Sequence, residues 1–308
     1  MGPLAENETV DRTLEHWKSL EEANPDLAGN WRWQFCLLRA YYDAYTRLRL
    51  IYEQKLEEEA MVELGRLDVL GVEGAMESAL KIVRKAETEP IAVDLRRRIE
   101  ELCEALFQSI GLQSSVEKYH ASGPERGCVL DFVDYPLNNR WWLEDEFDKI
   151  RAMGSEGEKL DRLEVIRTWE NPGPGSFYDD IGNIAKSPHV ERGWYPSPGF
   201  AWWDGGYSRT RLSSQVYLGL PKLRYEGLDP GADYLVRVAG FRDAFLELQG
   251  KRLEPTVYNT DEGTFKMFPV PRELIRDGKA EITFARPDER HLNWRHRSRI
   301  SDVWLLKM

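Results

Sequence analysis

The sequence predicts an α+β protein in more than one domain, an N-terminal α-helical bundle followed by an antiparallel β-sandwich. Three observations predict it. Up to about residue 170 the chain runs in long Leu/Glu/Arg-rich segments whose apolar residues recur at helical spacing. Beyond that point short stretches rich in β-branched and aromatic residues alternate with Gly, Pro and Asp turns. At 308 residues the chain is long enough to bury two cores. The expected division is a helical bundle over 1–125, a helical and loop junction over 126–185, and a sandwich over 186–308.

The first helix is expected over Asp11–Glu22, ended by Asn24-Pro25-Asp26, and a second begins at Asn30 or Trp31. Phe35, Leu38, Tyr42, Tyr45, Tyr52, Leu56 and Ala60 mark its apolar side, so its tyrosines read as core or as the lining of a pocket. Asp43 and Arg47, four apart, suit an exposed ion pair, while Glu53 and Glu57 read as a solvated acidic face. A glycine-containing loop over 65–74 precedes a helix near Ala75–Ala86. Pro90 fits the first turn of the next helix, whose stripe is Leu95, Ile99, Leu102, Leu106 and Ile110. Opposed stripes of this kind pack as an antiparallel bundle. The segments Trp141–Ala152 and Glu156–Thr168 read as two shorter helices about Met153-Gly154-Ser155.

Strands are expected at Gln215–Leu218, Lys222–Tyr225, Tyr234–Ala239, Ala244–Leu248, Thr264–Pro269, Ala280–Ala285 and Val303–Leu306. So many short strands favour a sandwich over an open α/β sheet. The run Leu223-Arg-Tyr-Glu-Gly-Leu-Asp-Pro-Gly-Ala-Asp-Tyr234-Leu-Val-Arg-Val, with the closing Ser301-Asp-Val-Trp-Leu-Leu306, resembles a galactose-binding-like jelly-roll module of polysaccharide-processing proteins. The resemblance covers the C-terminal 130 or so residues. It implies a jelly-roll-like sandwich that binds glycans through its edge loops, and assigns no individual ligand residue.

Composition narrows the function classes. Hydrophobic residues at 42% and charged residues at 31% place the chain among soluble globular proteins. A formal charge of −11 repels a polyanion, which argues against nonspecific nucleic-acid binding. The local run Arg295-His296-Arg297-Ser298-Arg299 is still suited to a carboxylate or phosphate. Cys36, Cys103 and Cys128 are odd in number and widely spaced, so they read as buried thiols, with neither a disulfide framework nor a zinc knuckle. No apolar run approaches the roughly 20 residues that span a bilayer, and Glu6, Glu8 and Asp11 stand where a signal peptide would be apolar. The expected location is cytoplasmic unless an export leader has been removed.

Candidate site residues concentrate at the junction. Asp131 and Asp134 are an acid/base pair for glycoside hydrolysis if their carboxyls oppose each other, and Arg140 can neutralise a substrate carboxylate while Tyr178 or His189 moves a proton in a lyase. Asn138, Asn139 and Trp141 suit sugar hydroxyls and an apolar sugar face, and equally a polar, aromatic seam between domains. Asp179, Asp180 and Asn183 in a Gly/Pro-rich loop are hard oxygen donors, which makes calcium the one cofactor to consider. The strongest local sugar surface is Trp202, Trp203, Asp204 and Arg209; adjacent strand residues point oppositely, so one tryptophan faces a ligand and the other the core. His291, Trp294 and His296 are a second cluster, in which His296 can act as a base. The leading reading is carbohydrate recognition, with acidic glycans favoured by the local Arg/His group. Hydrolase or lyase chemistry at the junction is the alternative, so enzyme activity stays open, and a structural protein that assembles with itself or a protein partner is the third.

Overall fold

The computed structural model describes residues 8–122, 128–181, 186–191, 198–200, 209, 212–215, 221–260, 264–285, 288–293 and 296–308. The chain divides into two compact units, 1–140 and 141–308.

The first unit is helical. It contains α1 (Thr9–Ala23), a 3-10 turn (Pro25–Gly29), α2 (Trp31–Leu64), α3 (Leu67–Val83), α4 (Lys85–Thr88), α5 (Val93–Ile110), α6 (Val116–Tyr119) and α7 (Val129–Phe132). Asn30 starts α2 by accepting the Arg32 amide at 3.0 Å. Gly111, at φ +70°, ends α5 with its amide donating to the Phe107 carbonyl at 2.8 Å. Leu37, Tyr41, Ala44 and Tyr45 of α2 share a core with Leu14 of α1 and Ile99, Leu102 and Leu106 of α5, so Tyr41 and Tyr45 are core residues.

Four expectations for this unit are corrected. Helix α3 begins at Leu67, inside the expected loop, and continues past a kink at Gly71, whose φ of +66° takes a residue without a Cβ. Pro90 lies ahead of α5, which starts at Val93. Cys36 is exposed, whereas Cys103 and Cys128 are buried. Asp43 pairs with Arg39 at 2.8 Å, and the buried Arg47 reaches Asp11 on α1 at 2.7 Å.

The acidic face of α2 also proves to be interior. Glu53 is 1% exposed and accepts from Arg49 at 2.5 Å, from the Leu137 amide at 2.8 Å and from Arg140 at 3.2 Å. A buried carboxylate costs several kcal/mol unless paired and hydrogen-bonded; these three donors meet that cost and tie segment 133–140 to α2. Glu57 extends the tie by accepting from the Asn139 amide at 3.0 Å and its side chain at 2.7 Å.

The second unit opens with α8 (Arg140–Ala152) and α9 (Glu156–Arg167), the latter capped by Ser155. Ten strands follow among the described residues: β1 (Phe177–Asp180), β2 (Pro198–Phe200), β3 (Leu212–Gln215), β4 (Leu223–Glu226), β5 (Tyr234–Phe241), β6 (Phe245–Leu248), β7 (Lys251–Arg252), β8 (Thr264–Val270), β9 (Lys279–Ala285) and β10 (Arg299–Lys307). They form an antiparallel β-sandwich. One sheet of six strands runs β2-β3-β10-β5-β8, with β1 also on β10; the other, of four, runs β4-β9-β6-β7. Between them lies a core that includes Val236, Val238, Leu246, Phe268, Ile282, Phe284, Val303 and Leu305. Two strand expectations change. β1 lies within the stretch expected to be a constrained loop, and the strand expected at 215–218 is described only at its first residue, the last of β3.

Strand β10 is the axis of the larger sheet. It pairs with β5 along one flank from Arg299 to Lys307, so β3, at Arg299 and Ile300, and β1, at Asp302 to Leu305, share the other. The β5 register slips between Ile300 and Asp302, leaving Ser301 as an extra residue whose carbonyl accepts the Ile181 amide at 2.8 Å. The slip decides which way the acid faces. Ile300, Val303 and Leu305 all belong to the core; strict alternation from Ile300 would drive Asp302 inward, and the bulge turns it to the outer face with Trp304.

Gly240 lies opposite Ile300 at this bulge, and a Cβ there would fall on the Arg299 carbonyl oxygen. Gly240→Ala should therefore destabilise the second unit by about 3 kcal/mol or more. Thermal unfolding followed by near-ultraviolet circular dichroism checks this, since the sandwich holds Trp169 and Trp304.

Candidate functional site

Strand β1 divides its four side chains between two environments because alternate residues face opposite ways. Phe177 and Asp179 point into the sandwich. Tyr178 and Asp180 point out, opposite Trp304 and Asp302 of β10. Asp179 and Asp180 thus diverge and cannot share one ion. Among the described residues, no group of three or more His, Cys, Asp or Glu side chains is placed to hold a metal.

On the inner side, Asp179 is fully buried and accepts three hydrogen bonds. Tyr225 Oη donates to Oδ2 at 2.9 Å, His189 Nδ1 lies 2.9 Å from the same oxygen, and the His189 amide reaches Oδ1 at 3.1 Å. Phe177 meets the imidazole edge-on at 5.1 Å, and burial, reinforced by Asp179, pushes the Tyr225 hydroxyl well above its ordinary range. This is an oriented Asp–His pair. Among the described residues no Ser, Thr or Cys is hydrogen-bonded to the ring.

The outer side carries more chemistry. Asp302 Oδ1 accepts from Trp169 Nε1 at 3.0 Å and Tyr178 Oη at 2.7 Å, while Trp304 Nε1 donates to the Trp169 carbonyl at 2.7 Å. The two indoles meet edge to face at 4.9 Å, and Trp142 of α8 packs on Trp169 at 5.2 Å. Arg209 lies over both Trp142 and Trp169, at 5.2 and 5.3 Å, and pairs with Glu170 at 2.5 Å; Lys186 joins Glu170 at 2.8 Å. Asp302 is 3% exposed, and its Oδ2 has no hydrogen-bond partner among the described residues.

The electrostatics follow from burial and like charge. Burial raises the Asp302 carboxyl, with Arg209 only partly opposing it. Asp180 is raised by burial and then by the charge of Asp302 across the strand pair. Burial also pushes the Tyr178 hydroxyl far up, so it remains a donor at any ordinary pH. Burial alone would raise Glu170 too, yet Arg209 and Lys186 hold it below its usual range. The cluster therefore combines two carboxyls that resist ionisation, one firmly ionised carboxylate and two cations.

The remaining candidates occupy other places. In the first unit, Asp131 holds Ser115 Oγ at 2.8 Å and the Val116 amide at 2.9 Å, fixing the start of α6. Asp134 accepts from Tyr45 and Arg96, each at 2.9 Å. Arg140 spans Glu53 and Glu87, and Asn138 is buried with its Nδ2 3.4 Å from the Val83 carbonyl and its Oδ1 accepting the Arg140 amide at 3.2 Å. Asp131, Asp134, Arg140, Asn138 and Asn139 are all engaged by their own fold. Trp141 is half-buried, and His291 and His296 are exposed. Asn183, Trp202, Trp203, Asp204 and Trp294 lie outside the described residues.

The structure thus brings Tyr178, Asp180 and Arg209 together, and separately Asp179 with His189. Sequence reasoning missed Asp302, Trp169, Glu170 and Tyr225. One signal pointed to Asp302: it is the single acid in the otherwise apolar run from Val303 to Leu306 and its flank. Comparison with protein-family models, with characterised proteins and with solved structures finds no match to this chain.

Asp180→Asn tests the charge repulsion. A carboxyl raised in the folded state adds stability below its unfolded pKa and loses it as pH rises through the folded value. Removing the ionisable group at 180 should leave stability little changed near pH 4 and raise it relative to wild type by on the order of 1–2 kcal/mol at pH 8. Paired denaturant titrations at the two pH values measure the difference.

Proposed function

We propose that the second unit is a carbohydrate-recognition module, in which the outer-face cluster about Asp302 binds one residue of a hydroxyl-rich sugar. The observation that carries this reading is the buried Asp302 Oδ2, which has no hydrogen-bond partner among the described residues. A buried acceptor left unsatisfied costs about 1–3 kcal/mol, more when charged. A sugar hydroxyl donating to it would remove that cost. Asp180 beside it offers a second carboxyl that accepts when ionised and donates when protonated.

The rim suits the same ligand. Glu170 and Lys186 are the open edge, their side chains 39% and 41% exposed, while Trp142 and Trp169 form a buried wall behind Arg209. A groove of about 200 Å³ shares Trp169 and Trp304 with the cluster and is lined further by Thr168, Ser176 and Arg237, not by Asp302, Asp180 or Arg209. Both cations, Arg209 and Lys186, are already paired with Glu170, which favours a neutral sugar over a uronic one. The likeness of the C-terminal run to galactose-binding-like jelly-roll modules points the same way.

One observation favours a second reading. Asp180 and Asp302 are direct cross-strand partners, which sets their Cβ atoms about 4.5–5.5 Å apart. Retaining glycosidases also work with two neighbouring carboxyls, held roughly 5–5.5 Å apart. In that reading the carboxyl that keeps its proton is the acid.

Calorimetry against a panel of neutral and uronic monosaccharides and short oligosaccharides tests the proposal. A neutral sugar should bind, and Asp180→Ala and Arg209→Ala should each weaken it at least tenfold with the circular dichroism spectrum preserved. Absence of heat with every sugar would overturn the proposal. New reducing ends released from the bound oligosaccharide would move the assignment to hydrolysis.

A further inference from the structure

The outer face of the larger sheet carries an arginine whose charge no described residue answers. Val236 and Val238 of β5 point into the core, so Arg237 between them points outward, opposite Trp304 of β10. Its guanidinium lies over the Phe265 ring at 4.9 Å and the Trp304 ring at 5.8 Å. It makes no hydrogen bond or ion pair with any described residue, and its Nε is closed off from solvent. A second guanidinium shares the platform, Arg162 of α9, which lies over Phe265 at 5.8 Å. Arg162 is paired with Glu146 at 2.5 Å. Burial, and then the charge of Arg162, hold the Arg237 guanidinium below its ordinary range.

Arg237 lines the 200 Å³ groove, which runs between the last turn of α9 and the outer face of β5 and β10. Trp169, Pro172, Trp304 and Leu306 give the groove apolar walls. Its other charged side chains already have partners: Glu164 pairs with Arg167 at 2.5 Å, and Lys307 with Asp229 at 2.9 Å. The Thr168 hydroxyl donates to the Glu164 carbonyl at 2.6 Å, which engages the end of the helix. Ser176 Oγ accepts the Lys307 amide at 2.9 Å and keeps its own proton to donate. Among the described residues, the groove thus presents one open cation and one hydroxyl donor between apolar walls.

We propose that this groove binds a small organic carboxylate, whose anionic end meets Arg237 and whose apolar body lies along Trp169 and Trp304. The inference goes beyond the sugar reading and does not depend on it, since Asp302, Asp180 and Arg209 do not line the groove. With Nε closed off, the two terminal nitrogens are the donors. That end of a guanidinium matches a carboxylate through two parallel hydrogen bonds. Partial removal from water by the two aromatic rings strengthens its attraction for an anion. One open cation suits a single negative charge, and Glu164 at the groove opposes a second, which selects a monocarboxylate over a phosphate dianion.

Calorimetry of the whole chain with benzoate, benzamide and inorganic phosphate at pH 7 tests the inference. Benzoate should bind one to one. Benzamide, which keeps the ring and loses the charge, and phosphate should each bind at least about tenfold more weakly. Arg237→Met, which keeps an unbranched stem over Phe265 and removes the guanidinium, should weaken benzoate by a similar factor with the circular dichroism spectrum preserved. The comparison of benzoate with benzamide on the wild-type chain holds whether or not that variant folds. No heat with benzoate, benzamide bound as tightly as benzoate, phosphate bound more tightly than either, or benzoate binding unchanged in a folded Arg237→Met would each overturn the inference.

Discussion

The one-residue slip in β10 is the constraint on which the second unit depends. An even count of residues from Ile300 would place Asp302 inside the sandwich and turn Val303 and Leu305 out of its core. The extra Ser301 converts that clash into an outward acid flanked by Trp304. Once turned out, Asp302 meets the indole of Trp169, and Trp169 in return takes the indole N–H of Trp304 on its carbonyl. The two tryptophans thereby fasten the chain after α9 to the central strand, and neither leaves a buried donor unpaired. Gly240 is the permissive partner, since only a residue without a Cβ lets β5 approach the bulge.

The same strand gathers groups that are distant in sequence. β1 brings Tyr178 and Asp180, β10 brings Asp302 and Trp304, and the end of α9 leads to Trp169 and Glu170. Like charges directly opposite each other in a sheet are unfavourable, and here they are also desolvated. A dyad of this kind either persists because a ligand rewards it or because shared protons relieve it. The proposed sugar site draws on the first possibility, and the raised carboxyls of Asp180 and Asp302 express the second.

What was legible in the sequence follows local rules. Helices α8 and α9 were readable as two segments about Met153-Gly154-Ser155, and β4, β5, β8 and β9 from alternation between Gly, Pro and Asp turns, so the helical half and the sandwich both emerge from pattern. β1 was not, because Phe-Tyr-Asp-Asp carries polar groups on both faces and reads as a loop until Tyr225 and Trp304 supply its partners. Glu53 reads as solvated beside Glu57, and only Arg49, Arg140 and the Leu137 amide, the last two more than 80 residues away, make its burial tolerable. Of the candidate site, Tyr178, Asp180 and Arg209 were named from residue chemistry. Asp302 was not, since its meaning rests on a bulge that no composition or periodicity records.

The central claim is that Asp302 faces outward into a desolvated pair with Asp180. Carbon-13 chemical shifts of the aspartate carboxyls, followed by nuclear magnetic resonance across pH 3–9, test it most directly. The account predicts that Asp302 and Asp180 titrate above the ordinary aspartate range, near 3.9, each responding to the other's ionisation. Two ordinary, independent titrations would contradict it and would place both carboxyls in solvent.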